Sequence, residues 1–274
     1  MGYQKATLII SVYNNTTALT AVLESLKLQT NSNFELIISE DAEHEEMRCF
    51  IRDYDYQGEL NHLTQKDDGW NKNAALNKAI QASKTDYLIF IDGDCVLHPR
   101  FVEFHLLLAE EQSILAGKRI KLDSESSAML LDSRLKPEAM NGYVLKNFKR
   151  IKNRGAGFVE EGIFIDPKSI WGFIPGMRSM YQLKGCNMSF PKKAIIAING
   201  FDEDYIRPAI GEDIDLGWRF EQAGYKLKSV RNLAVQYHLY HPENWTDQSE
   251  NIREMNVKKA QNLFVCKNGL RKLS

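Results

Sequence analysis

The chain has 274 residues, a formal net charge of −1 and 43% hydrophobic residues, which is typical of a globular protein. The nearly balanced charge excludes a global basic field, so we expect no nucleic-acid partner. The four cysteines stand singly in the sequence, which argues against a disulfide scaffold and favours a cytoplasmic protein. No run of about 18 apolar residues predicts a membrane span.

Strand and helix patterns alternate through the first 117 residues. The predicted strands are "ATLIISVY" (6–13), "FELIIS" (34–39), "GELNHLTQ" (58–65) and "DYLIFID" (86–92), and the predicted helices cover 17–29, 43–54, 71–83 and the residues from Pro99 onward. Such alternation requires crossover connections, so it predicts an α/β fold with a mostly parallel sheet between helices.

The pattern changes in the second half of the chain. Residues 118–182 lack clear periodicity and are expected to form loops over the rim of the sheet, whereas 183–190 reads as a strand. We expect a helix at 211–224, one or two strands in 225–242 and an amphipathic helix at 247–265. The prediction is one domain, 1–246, in two parts (1–117 and 118–246), followed by a tail, 247–274.

Polar residues follow three of the predicted strands. Ser11 and Tyr13 end the first strand, Glu40 and Asp41 follow the second, and "DGD" (92–94) follows the fourth. Because ligands bind at the carboxyl ends of parallel strands, this rim is the predicted site.

Asp92 and Asp94 are the first candidate pair. Gly93 between them permits a sharp turn, so both carboxylates can face the same rim. Hard divalent cations bind one or two carboxylates together with substrate phosphates, so the pair favours a metal–diphosphate site. A solvated turn is the alternative.

Glu212 and Asp213 form a second acidic pair at the start of a predicted helix, close to "GFDEDY" (200–205). Dense negative charge raises carboxyl pKa values and suits a general base. The alternative is an ordinary acidic first turn, which the helix dipole stabilises.

Two further groups could bind ligand. His238 and His241 in "QYHLYHP" could supply a third metal ligand, although a lone histidine is often structural. Asp68, Lys72 and Asn73 precede or begin a helix whose N-terminus could attract phosphate; a capped helix is the alternative.

Two tryptophans are candidates for stacking on the ring of a bound ligand. Trp171 lies in the predicted loop region, whereas the spacing of Trp218 also fits a helix packed in the core.

Several segments together resemble a known family. In order they are "LIISVYNN", "ELIISEDA", "DDGWNKNAALNKAI", "YLIFIDGDCVLHPRFVEFH", "KGCNMSF", "NGFDEDY" and "GEDIDLGWRFEQAGY". They resemble the motifs of family-2 inverting glycosyltransferases, and the second half resembles the galactosyltransferase segment of chondroitin-polymerase-type bacterial enzymes. The resemblance implies a GT-A fold with a Rossmann-like sheet, a nucleotide-sugar half (1–117), a loop-rich acceptor and catalytic half (118–246) and a C-terminal helix.

The resemblance also implies a role for each matching residue. On the donor side, Tyr13 would border the nucleotide, Glu40 and Asp41 would face the nucleobase, and Asp92 would approach the ribose and the metal. Asp94 would bind the metal with His238 or His241, and Gly185 and Asn187 would line the sugar pocket. Asp213 would be the general base, and Glu212 would hold the acceptor. The expected reaction transfers a hexose-type sugar from a UDP-sugar to a glycan or lipid-linked acceptor. The cofactor would be Mn²⁺ or Mg²⁺, with Mn²⁺ favoured, and the setting bacterial surface polysaccharide or lipopolysaccharide synthesis.

Two other functions fit parts of the sequence. "IFIDGDCV" also fits a haloacid-dehalogenase-type phosphohydrolase, in which Asp92 would be the nucleophile and Mg²⁺ the cofactor. The other alternative is a sugar-nucleotide-binding module without catalysis.

The tail combines apolar residues with five basic ones, Lys258, Lys259, Lys267, Arg271 and Lys272. A helix docked on the domain is one interpretation. The other is peripheral contact with an anionic membrane, which would place the protein at the inner membrane face.

Overall fold

A computed structural model describes residues 2–208, 210–242 and 246–273, excluding the side chain of Glu212. The strands are β1 (Ala6–Val12), β2 (Phe34–Glu40), β3 (Leu60–Leu63), β4 (Tyr87–Asp92), β5 (Cys95–Leu97), β6 (Ser113–Ala116), β7 (Ile120–Lys121), β8 (Asn187–Pro191), β9 (Lys226–Ser229) and β10 (Gln236–His238). The helices are α1 (Thr16–Leu26), α2 (Glu45–Asp53), α3 (Lys72–Ala82), α4 (Phe101–Leu107), α5 (Ser124–Leu131), α6 (Met140–Asn153), α7 (Ile174–Met177), α8 (Lys192–Ala197), α9 (Asp215–Gln222) and α10 (Ser249–Ala260).

The strands form one large sheet and one small sheet. The large sheet has the order β3-β2-β1-β4-β8-β6-β9, and only β8 runs against its neighbours β4 and β6. The mostly parallel sheet predicted from the alternating pattern is therefore confirmed. The small sheet, β5-β10-β7, lies beyond the carboxyl end of β4.

Side chains of the central strands alternate between two hydrophobic layers. Leu8 and Ile10 of β1 pack into the layer that contains α1, whereas Ile9 packs into the layer that contains α3. All three are fully buried, so truncating any one of them to alanine is expected to cost roughly 2–5 kcal/mol. This rigid double-layered core fixes the positions of the strand ends.

The region 118–182 contains more helix than its sequence pattern predicts. Residues 140–153 form α6, and its buried residues Met140, Val144 and Ile151 lie at helical spacing. The expectation of loops is wrong for α5 and α6, because burial of a narrow apolar stripe outweighs the many polar residues around it. Residues 154–173 are mainly turns and loops, as expected.

The C-terminal segment packs on the domain. The ammonium group of Lys258 on α10 lies 2.6 Å from Asp202 and 3.1 Å from Asp204. Further along, the Arg219 guanidinium of α9 donates to the carbonyl of Phe264 at 3.0 Å. α10 and the residues up to Phe264 are therefore docked on the domain, as the first interpretation of the tail expects.

No helix in the described parts of the chain is long and apolar enough to cross a membrane.

Candidate functional site

The two sheets bring His238 and Asp94 together. β5 follows the "DGD" turn and pairs antiparallel with β10, so that His238 stands opposite Cys95. The Leu239 N–H also donates to the Asp94 carbonyl at 2.9 Å. The end of β10 is therefore fixed beside the turn that carries the two aspartates.

Asp94, His238 and His241 form a three-membered cluster. Asp94 Oδ2 lies 3.3 Å from Nε2 of each histidine, and the two Nε2 atoms lie 3.3 Å apart. Ligand atoms about 2.1 Å from one metal ion would lie about 3.0–3.4 Å from each other at octahedral or tetrahedral angles. One carboxylate and two imidazoles at this spacing therefore fit a divalent transition-metal ion, and both histidines, which the sequence left as alternatives, belong to the cluster.

Contacts within the cluster shift the pKa values of Asp94 and His241. Burial alone would raise the pKa of Asp94, but hydrogen bonds from His238 and His241 hold that pKa far below its ordinary value. The bond with Asp94 in turn raises the pKa of His241 to about 9. Without metal, the positive partner of the Asp94 carboxylate at neutral pH is thus an imidazolium.

Asp92 contacts two cations instead. One of its oxygens lies 2.9 Å from the Lys72 ammonium, and the other lies 3.2 Å from the Arg119 guanidinium. This arrangement holds the carboxylate at the end of β4 with both oxygens engaged. Lys72 thus reaches the rim from the first turn of α3, and the group it contacts there is the Asp92 carboxylate.

Gly93 is required by close packing at the turn. A Cβ atom there would lie 2.7 Å from Val12 Cγ1 and 3.1 Å from the Ser11 carbonyl oxygen. The Gly93 N–H donates to that same carbonyl at 2.8 Å. The end of β1 therefore sets the direction of the "DGD" turn.

A cavity of about 660 Å³ opens beside these strand ends; we call it the strand-end cavity. Its walls include Ser11, Tyr13, Asp41, Asp67, Trp70, Lys72, Asp92, Gly93, Asp94 and His241. The Tyr13 hydroxyl donates to Asp67 at 2.8 Å, and its ring packs edge-on against His44. The half-exposed ring offers a flat apolar face to a ligand.

Asp41 is fixed in the wall of the strand-end cavity. Its oxygens accept from the Gln65 amide at 2.6 Å and from the Asn71 N–H at 2.8 Å. Burial raises the pKa of Asp41, while these two bonds act in the opposite direction. The carboxylate is thus a positioned acceptor at the end of β2.

Glu40, by contrast, lies away from the cavity. Its side chain is fully buried and accepts from His44 at 3.1 Å and from His62 at 2.8 Å. The structure therefore brings Asp41 to the site and leaves Glu40 in a structural network under the sheet edge. Glu40 is the last residue of β2, whereas Asp41 follows the strand.

Asp68 and Asn73 also lie outside the cavity walls. Asp68 is exposed on the preceding loop, where its neighbour Asp67 makes the contact with Tyr13. Asn73 is buried, and its amide donates to the Asp202 carbonyl at 2.7 Å. Asn73 thus connects α3 to the second half of the chain.

Asn187 is fully buried and bonds to three segments of the protein. Its Nδ2 donates to the carbonyls of Lys118 and Ala234, at 3.2 and 3.0 Å, and its Oδ1 lies 3.1 Å from His105 Nε2. The closest approach is at Gly117, where a Cβ would lie 2.4 Å from that Nδ2. Asn187 therefore positions the segment that carries Arg119 and the segment that leads into β10.

Asp213 and Asp92 both line a second cavity, of about 490 Å³, which we call the Asp92–Asp213 cavity. Asp213 belongs to a π-helical turn, Ile210–Ile214, immediately before α9. The Gly185 N–H donates to its Oδ1, and the Lys184 ammonium lies 4.0 Å from its Oδ2. The side chain of Glu212 lies outside the described residues.

The two tryptophans occupy different surroundings. Trp218 on α9 is half-buried and lines a third cavity together with Asp213, and the Lys259 ammonium lies 5.7 Å from its ring centre. Trp171 is 58% exposed on the loop before α7 and lies outside the walls of the three cavities described.

Sequence reasoning did not single out Arg119, Asp67, Trp70 or Lys118. Arg119 and Lys118 belong to "GKRIK" (117–121), a basic run directly after an apolar stretch. Like Asp92 and Asp94, these two residues directly follow an apolar run, so the same strand-end rule could have identified Lys118 and Arg119. Asp67 stands next to Asp68, so only the loop conformation distinguishes the two.

The fold and the site together define a class. A mostly parallel α/β sheet carries acidic residues at its strand ends, a carboxylate–imidazole cluster that fits a metal, and a cavity between two separated carboxylates. This arrangement is that of the GT-A glycosyltransferases. The model of glycosyl transferase family 2 matches residues 7–177, and the chain belongs to that family.

Other comparisons agree with this assignment. Residues 174–242 match the family described as N-terminal domain of galactosyltransferase. The chain is 27% identical to chondroitin synthase of Escherichia coli and 25% identical to hyaluronan synthase of Pasteurella multocida, in each case over 88% of its own length. It spans 36% of the first relative and 25% of the second.

Solved structures show the same fold. A mannosyltransferase of Pyrobaculum calidifontis, determined with GDP-mannose and Mn²⁺, superimposes with a TM-score of 0.57 at 13% identity, over 93% of this chain and 64% of that one. TarS of S. aureus gives a TM-score of 0.54 at 15% identity, over 93% of this chain and 39% of that one. The GT-A fold implied by the motifs is confirmed.

Proposed function

We propose that this protein is a metal-dependent, inverting glycosyltransferase that moves a hexose-type sugar from a UDP-sugar to a glycan acceptor. One observation carries the proposal: Asp92, beside the metal-type cluster, and Asp213, from a distant segment, line the same cavity. An inverting transfer needs the leaving group and the general base on opposite faces of one sugar, and two carboxylates from distant segments that line one cavity support such an arrangement.

The strand-end cavity would hold the donor nucleotide. The half-exposed Tyr13 ring offers a stacking face, and the fixed Asp41 carboxylate can accept from a base or a ribose hydroxyl. Asp92 would accept from ribose. The choice of uridine depends on the sequence resemblance to chondroitin-polymerase-type enzymes.

Asp94, His238 and His241 would hold the divalent ion. When bound, such an ion neutralises the charge that develops on a leaving diphosphate. Mixed carboxylate and imidazole ligands suit Mn²⁺ better than Mg²⁺, which prefers oxygen ligands. The neighbour bound to GDP-mannose and Mn²⁺ supports a divalent cofactor in this fold.

Asp213 would accept the proton of the acceptor hydroxyl. A sugar hydroxyl is a weak nucleophile at neutral pH, so proton removal during attack lowers the barrier. The Gly185 N–H orients the carboxylate, and the nearby Lys184 ammonium favours its ionised form. Glu212, next to Asp213 in the sequence, is proposed to hold the acceptor, as is Trp218, which lines a cavity together with Asp213.

The biological setting is also a proposal. The relatives include two polysaccharide synthases and an amylovoran biosynthesis glycosyltransferase of Erwinia amylovora, 24% identical over 84% of this chain. They support a role in building a bacterial surface polysaccharide; lipopolysaccharide is a second acceptor class for the same chemistry. Peripheral membrane contact is not included, because the C-terminal helix uses Met255 and Lys258 to pack on the domain.

The test measures hydrolysis of a panel of UDP- and GDP-sugars by the protein in the presence of Mn²⁺ or Mg²⁺. ¹H NMR identifies the anomer of the released sugar before mutarotation mixes the two anomers. An α-linked UDP-hexose should give the β-sugar first, and only with metal. Release of the α-sugar first would contradict inversion. Binding of a donor without turnover in the presence of any acceptor would favour the non-catalytic module. The phosphohydrolase alternative is not retained, because the chain belongs to family 2.

A further inference from the structure

The Asp92–Asp213 cavity has more positive than negative charge in its described walls. Its charged lining residues are Lys118, Arg119, Lys121, Lys184, Asp92 and Asp213. Arg119 contacts Asp92, and Lys184 approaches Asp213. Arg119 and Lys184 thus each face a carboxylate, and Lys118 is the cation of this cavity that could pair with an anionic ligand.

Lys118 is the most informative of these cations. It is half-buried, and among the described side chains no carboxylate lies within ion-pair distance of it. Its ammonium instead lies 5.7 Å from the centre of the Phe158 ring, a weak cation–π contact. A partly desolvated ammonium without a counter-ion is costly unless a ligand supplies the negative charge.

Phe158 adds an independent observation. It adopts φ 52° and ψ 45°, the left-handed region, yet its side chain is 53% exposed. Such a conformation costs about 1–3 kcal/mol for a residue other than glycine, and strain of this kind concentrates at ligand sites. Because the Phe158 ring is largely exposed, its burial offsets little of this conformational cost. Contact with a ligand in the cavity would explain why a strained phenylalanine stands at this wall.

The backbone holds Lys118 and Phe158 in place. Gly157 and Lys121 exchange two N–H to carbonyl bonds of 2.9 Å, which attach the segment before Phe158 to β7. The Lys118 carbonyl accepts from the buried Asn187 amide at 3.2 Å. The segment that carries Phe158 is therefore attached to the small sheet, and the segment that carries Lys118 is attached to β8 of the large sheet.

We infer that this cavity selects an acceptor sugar that carries a negative charge, a carboxylate or a phosphate. The C–H face of the sugar ring would pack on Phe158, and its anion would pair with Lys118. The acceptor is favoured over the donor because the strand-end cavity, which would hold the donor nucleotide, has neither Lys118 nor Phe158 in its walls. This inference rests on the proposed function and specifies its acceptor class.

The test uses an array of oligosaccharides with the intact protein saturated with UDP and Mn²⁺. Each glycan is present in three forms that differ only at C6 of the terminal sugar: a uronic acid, the same sugar reduced to the neutral hexose, and the 6-phosphate. We expect at least tenfold tighter binding of one anionic form than of its neutral counterpart, and the form preferred identifies the anion. Equal binding of the three forms, a neutral preference or no binding of any anionic glycan would overturn the inference.

Variants assign the preference to the two residues. Lys118→Met should abolish the anionic preference, whereas Lys146→Met, an exposed lysine on α6, should keep it. Phe158→Asn should weaken glycan binding without lowering Tm, because asparagine tolerates the left-handed region; a purely structural role predicts a lower Tm. A changed preference for charged donor sugars with unchanged glycan binding in Lys118→Met would place the anion on the donor and refute the inference.

Donor hydrolysis by the unsubstituted protein keeps the two proposals apart. No hydrolysis of any nucleotide sugar would refute the proposed function. Hydrolysis together with a neutral glycan preference would refute this inference alone.

Discussion

His238 Nε2 lies 3.3 Å from Asp94 Oδ2, although the two residues come from opposite halves of the chain. Antiparallel pairing of β5 with β10 produces this contact, because it fixes the residue after Asp94 opposite His238 itself. The metal-type cluster therefore depends on the small sheet as much as on the "DGD" turn.

Asp94→Asn should weaken Mn²⁺ binding in the presence of UDP by at least about tenfold, because the cluster loses its only carboxylate ligand. The dependence of Tm on Mn²⁺ concentration measures the affinity. Asp86→Asn, exposed just before β4 at the opposite end of that strand, is the matched control and should behave like the unsubstituted protein. An undiminished Mn²⁺ response in Asp94→Asn would show that the ion binds elsewhere.

Asn187→Ala should lower the free energy of unfolding by about 2–4 kcal/mol, because it leaves two carbonyls and the His105 ring without their buried partner. Gly117→Ala should cost about 1–3 kcal/mol through the clash with the same side chain. Urea unfolding measures both. Since the clash requires the asparagine, Gly117→Ala should cost less in an Asn187→Ala background; additive effects would contradict this packing.

Stability should fall on the acid side partly because of His105. Burial lowers the pKa of His105 to about 3, against about 6.5 when unfolded, so the unfolded chain takes up a proton that the folded protein refuses. The free energy of unfolding is therefore unaffected by His105 above about pH 6.5. Between pH 6.5 and pH 3 it falls because of this residue by at most about 1.4 kcal/mol per pH unit. His105→Gln should give a shallower loss of stability between pH 6.5 and 4 in urea unfolding. Equal slopes for the two proteins would contradict this assignment.

Lys258→Met should lower the free energy of unfolding by about 3 kcal/mol, since it leaves the buried Asp202 carboxylate without its cation. Adding Asp202→Asn should recover part of that loss. Lys259→Met on the same helix lacks this buried partner and should change stability little. A loss in Lys258→Met no larger than in Lys259→Met would show that the tail is not anchored through this ion pair.

The sequence predicts the fold best where burial and local pattern agree. β1, β2 and β4 are continuous apolar runs between turn signals, and all three are present. α6 was missed because its buried residues form a narrow stripe among charged ones. β9 and β10 lie within 225–242, where the sequence predicts one or two strands, whereas β5 has three residues, too few for a period to identify, and is defined by its pairing with β10.

The sequence predicts which end of the sheet carries the cavity, but not which side chains line it. The strand-end rule puts Asp41, Asp92 and Asp94 at one rim, and all three line the strand-end cavity. The rule cannot distinguish Glu40 from Asp41, because both stand where β2 ends and only the folded chain turns one inward and the other toward the cavity. Asn187 stands in a motif that suggests ligand contact, yet its partners are buried groups of the protein.

The most direct test of the proposed division of roles compares Asp213→Asn with the unsubstituted protein for two quantities, UDP–Mn²⁺ binding and sugar transfer. Asp213 lies outside the metal-type cluster and outside the walls of the strand-end cavity, so the variant should bind UDP and Mn²⁺ normally. Transfer should fall by about 10²–10⁴-fold, the contribution of a general base. Glu221→Gln, an exposed position on α9, should retain both. Transfer by Asp213→Asn at close to the normal rate would contradict the assignment of the base.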